Sequence, residues 1–335
     1  MMRESPLLAF VAGLALCACA GASEVDRYSE ELRVHFIDVG QGDCVFVITP
    51  NDTIPGNGTR EGLRILIDAG KPGRGEQYVI PYLAALGMEP GDTVDYVVAT
   101  HPHNDHIGGM PEIYSTYQVD RTLDPGYFHT IPACTTFRRL ADDEDGSRYY
   151  CDLVDSGLIA ANGDTLDLGS ELEVRVLYAS PDGSPRLHDA QLVLRLQYGE
   201  VSFLFMGDAD GKKRHQPDSV TDHVEEYLID NYSAAELRST VLKVGHHGSM
   251  TSSTKRFREA VRPECAIILS GRQRFDGVTL PDSCIVRSFL DLGARVWRTD
   301  EGDEEKDDEE AGGDDHIVAT TDGHELSVEW RPRRD

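Results

Sequence analysis

Short apolar runs rich in valine, isoleucine, leucine and phenylalanine recur along the chain between glycine, proline and aspartate, which predicts many strands rather than long helices. Leu32 to Gly40 and Cys44 to Ile48 read as a hairpin around Gly40-Gln41-Gly42-Asp43, where glycine permits a tight turn. A turn-rich surface loop, Asn51 to Gly62, precedes a third strand, Arg64 to Gly70. Tyr78 to Leu86 has helical spacing, Val94 to Ala99 reads as a buried strand, and Ile107 to Tyr114 can begin a helix. Asp120 to Ala161 shows little regularity, so Thr135 to Tyr150 is expected to be an inserted loop with Asp142 to Asp145 solvated. Beyond it, Thr165 to Leu168, Leu172 to Leu177, Gln191 to Leu196 and Val201 to Asp208 are strand-like. Val220 to Leu228 and Ser233 to Arg238 look helical, and Val241 to Val244 is a further strand. Ala266 to Ser270, Pro281 to Leu292 and Ala294 to Arg298 repeat the order strand, helix, strand, and a hairpin around Asp322-Gly323 follows. Two such halves predict an α/β (α+β) domain over residues 32–330.

The chemistry concentrates where strands end. Thr100 to Gly109 carries His101, His103, Asp105 and His106 in a strand-to-helix turn. His101 and His103, two apart in extended chain, point the same way, while Asp105 and His106 project from the helix start, so one turn can serve two ions. Imidazole suits zinc or a similar ion, and a carboxylate adds charge neutralisation. Asp208 ends an apolar strand, where a carboxylate is costly to bury unless it is paired or bound to metal. His246-His247 closes another strand, and a lone His188 stands just ahead of the strand that begins near Gln191. The following Asp210 to His215 is expected to be an exposed loop.

The run His101-Pro102-His103-Asn104-Asp105-His106 resembles the HxHxDH signature of the metallo-β-lactamase fold superfamily, mostly hydrolases. Phe36 to Asp43 is similar to the FIDVGQGD signature, and Leu242 to Ser249 to the LKVGHHGS motif, of the hydrolase domain in ComEC-type competence DNA-uptake proteins. The resemblance implies a four-layer αββα sandwich with two divalent metal ions, zinc or alternatively manganese, at one edge. It implies His101, His103 and His188 on the first ion, Asp105, His106 and one of His246 or His247 on the second, and Asp208 between them. The other member of the doublet would face substrate or water, and the residues themselves do not choose between the two. Asp43 and Asp68 would orient ligands, Asp105 would also assist proton transfer, and a metal-bridging hydroxide would be the nucleophile. Lys243, Ser249 and Ser252 could contact an anion, with a capping or surface role as the equal alternative for the two serines. The expected function is hydrolysis of a phosphodiester, including nucleic acid; the alternatives are hydrolysis of another ester, a lactone or an amide at the same site, or a non-catalytic metal-containing lipoprotein. The chain departs from the ComEC-type pattern by lacking a histidine-bearing N-x-Y-G-H-P stretch between Arg272 and Pro281.

Composition constrains these readings. With 335 residues, 40% of them hydrophobic, the chain can bury a real core. Its 59 acidic and 32 basic residues give a net charge of −27, which repels nucleic acid unless a local patch reverses the field. Lys255 to Arg298 carries such an excess of basic residues. Leu7 to Ala20 has signal-peptide length, and Leu16-Cys17-Ala18-Cys19-Ala20 resembles a lipobox, so residues 1–19 are expected to direct export, with Cys19 as a lipid anchor and 20–31 as a linker, or with an ordinary secretory cut near Ala20 to Ser23 that leaves a periplasmic or extracellular protein as the alternative. In an oxidising compartment Cys134 could pair with Cys151, and Cys265 with Cys284. Glu301 to Asp315 reads as a disordered acidic insertion.

Overall fold

The computed structural model describes residues 30–50, 62–127, 129–166, 168, 172–180, 187–271, 274–275, 277–301, 312–313 and 315–331. The first half contains β1 (Leu32–Phe36), β2 (Val45–Ile48), β3 (Arg64–Ile67), α1 (Ile80–Ala85), β4 (Thr93–Val98), α2 (Asn104–Ile107) and α3 (Met110–Thr116). It closes with β5 (Gln118–Asp124), α4 (Pro132–Asp143) and β6 (Arg148–Cys151). The second half follows with β7 (Thr165–Leu166), β8 (Glu173–Ala179), β9 (Leu192–Tyr198), β10 (Val201–Phe205), α5 (His223–Asn231), α6 (Ala234–Leu237), β11 (Val241–Lys243), α7 (Lys255–Val261) and β12 (Cys265–Ile268). A small ribbon, β13 (Arg274–Phe275) and β14 (Val278–Thr279), precedes α8 (Ser283–Asp291), β15 (Arg295–Arg298), β16 (His316–Thr321) and β17 (Leu326–Arg331).

One sheet has the order β17-β16-β1-β2-β3-β4-β5-β6 and the other β15-β12-β11-β10-β9-β8-β7. Strand alternation explains the layering, because successive side chains leave opposite faces of a sheet. Val45, Val47, Ile65 and Ile67 join Phe203, Phe205, Val241 and Ile267 in the core between the sheets. Their neighbours Phe46 and Leu66 pack outward with Leu83, Met110 and Phe137. Leu204, Leu242 and Ile268 pack outward on the other side with Leu228, Phe257 and Phe289. Helices thus cover the outer face of each sheet, the αββα sandwich expected from the resemblance.

Several expectations are corrected. The segment read as irregular forms β5, α4 and β6. In α4 only Cys134, Phe137 and Ala141 are buried among charged neighbours, so the apolar stripe is too thin to stand out in the sequence. The helix expected over Ile107 to Tyr114 is two helices that meet at Gly108 and Gly109, and a Cβ on Gly108 would lie 2.2 Å from Pro72. The end of the acidic insertion is anchored rather than loose: the Gly313 amide donates to Asp38 Oδ2 at 2.7 Å and the Gly312 amide to the Tyr78 hydroxyl at 3.1 Å. Residues 302–311 and the expected export signal lie outside the described residues. All five described cysteines are free thiols. Cys134 packs in the core under α4, and Cys265 faces the inter-sheet core while Cys284 is exposed on α8, so the second expected pair points to different sides of a layer.

Candidate metal centre

β3 runs parallel to β4, and β10, β11 and β12 run parallel to one another, so their carboxyl ends lie at one edge of the sandwich. Crevices outside such strand ends are where open α/β sheets hold ligands. Asp68 follows β3, Thr100 to His106 follow β4, Asp208 and Asp210 follow β10, and His246-His247 follow β11. Gly42 lets the β1–β2 turn close onto this edge. Its φ is +143°, and a Cβ there would meet the Asp105 carbonyl at 2.4 Å, the same carbonyl that accepts from the Asp43 amide at 3.0 Å.

His101 Nε2 and His103 Nδ1 converge to 2.8 Å, and Asp208 Oδ2 lies 3.7 Å from His101 Nε2. The other oxygen, Asp208 Oδ1, lies 3.2 Å from His106 Nε2 and 3.5 Å from His247 Nε2, and Asp105 Oδ2 is 3.4 Å from that same His247 nitrogen. His246 Nε2 is 3.9 Å from Asp208 Oδ2. His188 stands further out: its ring is 4.7 Å from that of His103 and 4.5 Å from that of His246, and it groups with Asp210 and His246 rather than with His101. All eight residues singled out in the sequence therefore meet at this edge.

The rings are braced from behind. His106 Nδ1 contacts Asp68 Oδ2 at 2.7 Å, and Asp68 also accepts from the Thr100 amide and hydroxyl. His247 Nδ1 faces the Leu269 carbonyl at 3.0 Å, and His246 Nδ1 faces Asp210 Oδ1 and Thr251 Oγ1, each at 3.0 Å. A partner on one ring nitrogen fixes the tautomer and aims the other nitrogen, as metal-ligating histidines require.

Electrostatics divides the centre. Burial pushes His101 well below its ordinary value and His103 down to about 4, leaving both neutral and able to ligate. Burial would lower His106 and His247 as well, but Asp208 and its neighbouring carboxylates reverse this, holding His106 well above its usual range and His247 up at about 10. Burial would likewise raise Asp208, yet His247, His106 and His246 hold it well below the carboxylate range. A cation bound among these carboxylates would compensate their charge in place of protons on the imidazoles. The fit of a metal ion can be tested on polar atoms left without a partner. Among the described residues, buried His106 Nε2, His247 Nε2 and Asp208 Oδ1 have no hydrogen-bond partner and face one another. Leaving such atoms unsatisfied costs roughly 1–3 kcal/mol each unless something binds them. Two clusters, Asp43 with His106, Asp208 and His247, and His101 with His103 and Asp208, each bring ligand atoms within 4.8 Å of one another. The donors fit a divalent ion of the zinc type.

A two-sheet sandwich with a histidine and aspartate centre at the ends of its strands defines a class of metal-dependent enzymes. The family model described as Metallo-beta-lactamase superfamily matches residues 38–272, and the chain belongs to that superfamily. Its members are metal-dependent hydrolases or oxygenases, and the fold typically binds two metal ions. The chain is 27% identical over 288 residues to ComE operon protein 3 of Bacillus subtilis (strain 168), covering 82% of this chain and 32% of that protein. It is 28% identical over 272 residues to Competence protein ComA of Neisseria gonorrhoeae, covering 81% and 31%. It thus spans about a third of the length of these relatives. Among solved structures, the metallo-beta-lactamase fold protein YhfI from Bacillus subtilis is similar at 12% identity and TM-score 0.47, covering 87% of this chain and 99% of that one.

Sequence reasoning missed residues that act through others. Asp210 was expected in an exposed loop but is 5% exposed and bonded to His246. Its spacing of two from Asp208, with Gly211 after it, was the available signal. Lys243, Ser249 and Ser252 do not offer themselves to an anion. Lys243 is paired with Asp43, and the buried Ser252 hydroxyl donates to the Gly245 and Ser249 carbonyls. Ser249 is buried too and shares a hydrogen bond with Thr251.

Glu225, fully buried on α5, pins the loop after the histidine doublet: it accepts from the Ser253 amide, and from the Thr254 amide at 2.9 Å and hydroxyl at 2.7 Å. Burial pushes its carboxyl up to about 7 despite these donors, against an ordinary 4.5. Because the folded value is raised, the stability it contributes is full below pH 4.5 and is lost as pH climbs to about 7. The melting temperature of wild type relative to Glu225→Gln is therefore expected to fall across that window. Melting curves with a constant offset between the two proteins at every pH would refute this.

Proposed function

We propose that this protein is a two-metal hydrolase of phosphodiester bonds, with nucleic acid as the leading substrate class. One carboxylate, Asp208, is common to two histidine clusters, and this observation carries the reading. A relative named Competence protein ComA and another named Recombination protein 2 support nucleic acid as the phosphodiester. His101, His103 and His188 would hold the first ion, His106, His247 and Asp105 the second, and Asp208 both. Such an ion pair lowers the pKa of water and screens the negative charge that develops on the ester. Asp105 has a side chain still 22% exposed, which opens it to a reacting molecule. Its carboxylate would take up a proton leaving the attacking water. His246, 23% exposed against 2% for His247, borders the same mouth.

One observation favours a second reading, hydrolysis of another ester, a lactone or an amide. In the basic segment Lys255 to Arg298, four of the cations already have carboxylate partners. Arg258 is paired with Asp218, Arg298 with Asp300, and Lys255 and Arg256 with Glu259 and Asp230. Purified protein should hydrolyse bis(p-nitrophenyl) phosphate and single-stranded DNA, lose that activity to a chelator, and regain it with zinc or manganese. Turnover confined to lactone, amide or carboxylic ester substrates would transfer the conclusion to the second reading.

A further inference from the structure

The histidine doublet is built in a conformation that asks for a reason. His246 (φ 48°, ψ 49°) and His247 (φ 51°, ψ 29°) are consecutive left-handed residues, each costing roughly 1–2 kcal/mol relative to the right-handed form. Such strain persists where the surroundings over-determine it. The result is a divergence: the two ring centroids are 6.1 Å apart, with planes at 67°.

The divergence is matched to the two oxygens of Asp208. Oδ1 faces His106 Nε2 at 3.2 Å and His247 Nε2 at 3.5 Å. Oδ2 faces His101 Nε2 at 3.7 Å and His246 Nε2 at 3.9 Å. Each of the four rings has its Nδ1 next to a bracing atom: Thr100 Oγ1 for His101, at 3.2 Å, Asp68 for His106, the Leu269 carbonyl for His247, and Asp210 with Thr251 for His246. His246 thus has the same arrangement as the others, one nitrogen braced and one aimed at the shared carboxylate.

We propose that the doublet is split across Asp208, with His246 a ligand of the first ion beside His101 and His103, and His247 a ligand of the second beside His106. Asp210 is then the positioning residue for His246, as Asp68 is for His106. His188, whose ring neighbours those of both His103 and His246, is the outermost donor of the first ion. This rests on the two-metal reading above, and it changes the ligand set from one doublet histidine to both.

The test is cadmium-113 NMR of the full chain loaded with two equivalents of cadmium, which gives one resonance per ion and needs no turnover. His246→Ala should shift or remove the same resonance as His103→Ala, and His247→Ala the same resonance as His106→Ala. Asp210→Asn, which keeps the shape of the side chain, should move only the His246 resonance and weaken that ion by roughly 10–100-fold. Circular dichroism of each variant establishes that it is folded. Should His246→Ala and Asp210→Asn leave both resonances in place, or should His246→Ala and His247→Ala act on the same one, the split is wrong while the two-metal centre stands. A wild-type chain that binds no cadmium would overturn both.

Discussion

Asp208→Asn is expected to lower kcat/KM by roughly 10²–10³-fold, the scale on which loss of transition-state charge stabilisation is felt, because the carboxylate would hold the ions that supply it. Each of the two carboxylate oxygens faces two imidazoles, at 3.2 and 3.5 Å on one side and 3.7 and 3.9 Å on the other. Asparagine keeps the volume and the backbone hydrogen bond, in which the Asp208 amide donates to Gln191 Oε1 at 3.2 Å. It replaces one oxygen by an amide that donates where a metal ligand must accept. It also removes the negative charge shared by the two clusters. Metal content should fall below two ions per chain while the circular dichroism spectrum is unchanged. Full activity in the metal-replete variant would remove Asp208 from the centre and with it the reading of the site.

How much of this was legible follows from where the forces lie. Strands buried on both faces are continuous apolar runs, so β1 to β4 and β10 to β12 stood out, and the HxHxDH turn combined rare residue types in a short span. What was not legible depended on contacts between distant segments. α4 has only three buried positions, Cys134, Phe137 and Ala141, and its place in the fold comes from packing against α2, α3 and β6. Asp210 and Glu225 are carboxylates in polar stretches, which in a sequence read as solvated; only the fold buries them against His246 and the Ser253-Thr254 amides. The choice within the doublet required backbone angles: left-handed residues turn consecutive rings to different oxygens, and no residue spacing announces that.

Lys243→Met should destabilise the metal-free protein by roughly 3–5 kcal/mol, the usual cost of removing one partner from a buried ion pair. The Lys243 side chain is 2% exposed; its ammonium is paired with Asp43 and donates to the Gly207 carbonyl at 2.9 Å. It thereby ties β11, the end of β10 and the β1–β2 turn together beneath the metal centre. Burial would raise the Asp43 carboxyl, but Lys243, then His106 and His247, hold it below its ordinary value. Without the ammonium, Asp43 keeps only the imidazoles for charge compensation, His247 Nδ1 at 3.2 Å and His106 Nδ1 at 3.7 Å. Metal changes the balance, because Asp43 belongs to the cluster with His106, Asp208 and His247 and a cation there can replace the missing ammonium. The loss in urea unfolding should therefore be smaller in metal-loaded than in metal-free protein. Asp43→Asn combined with Lys243→Met should recover part of it, since neither member is then left charged and alone. Equal losses with and without metal, together with additive effects in the double variant, would show that Lys243 acts through packing and not through the charge of Asp43.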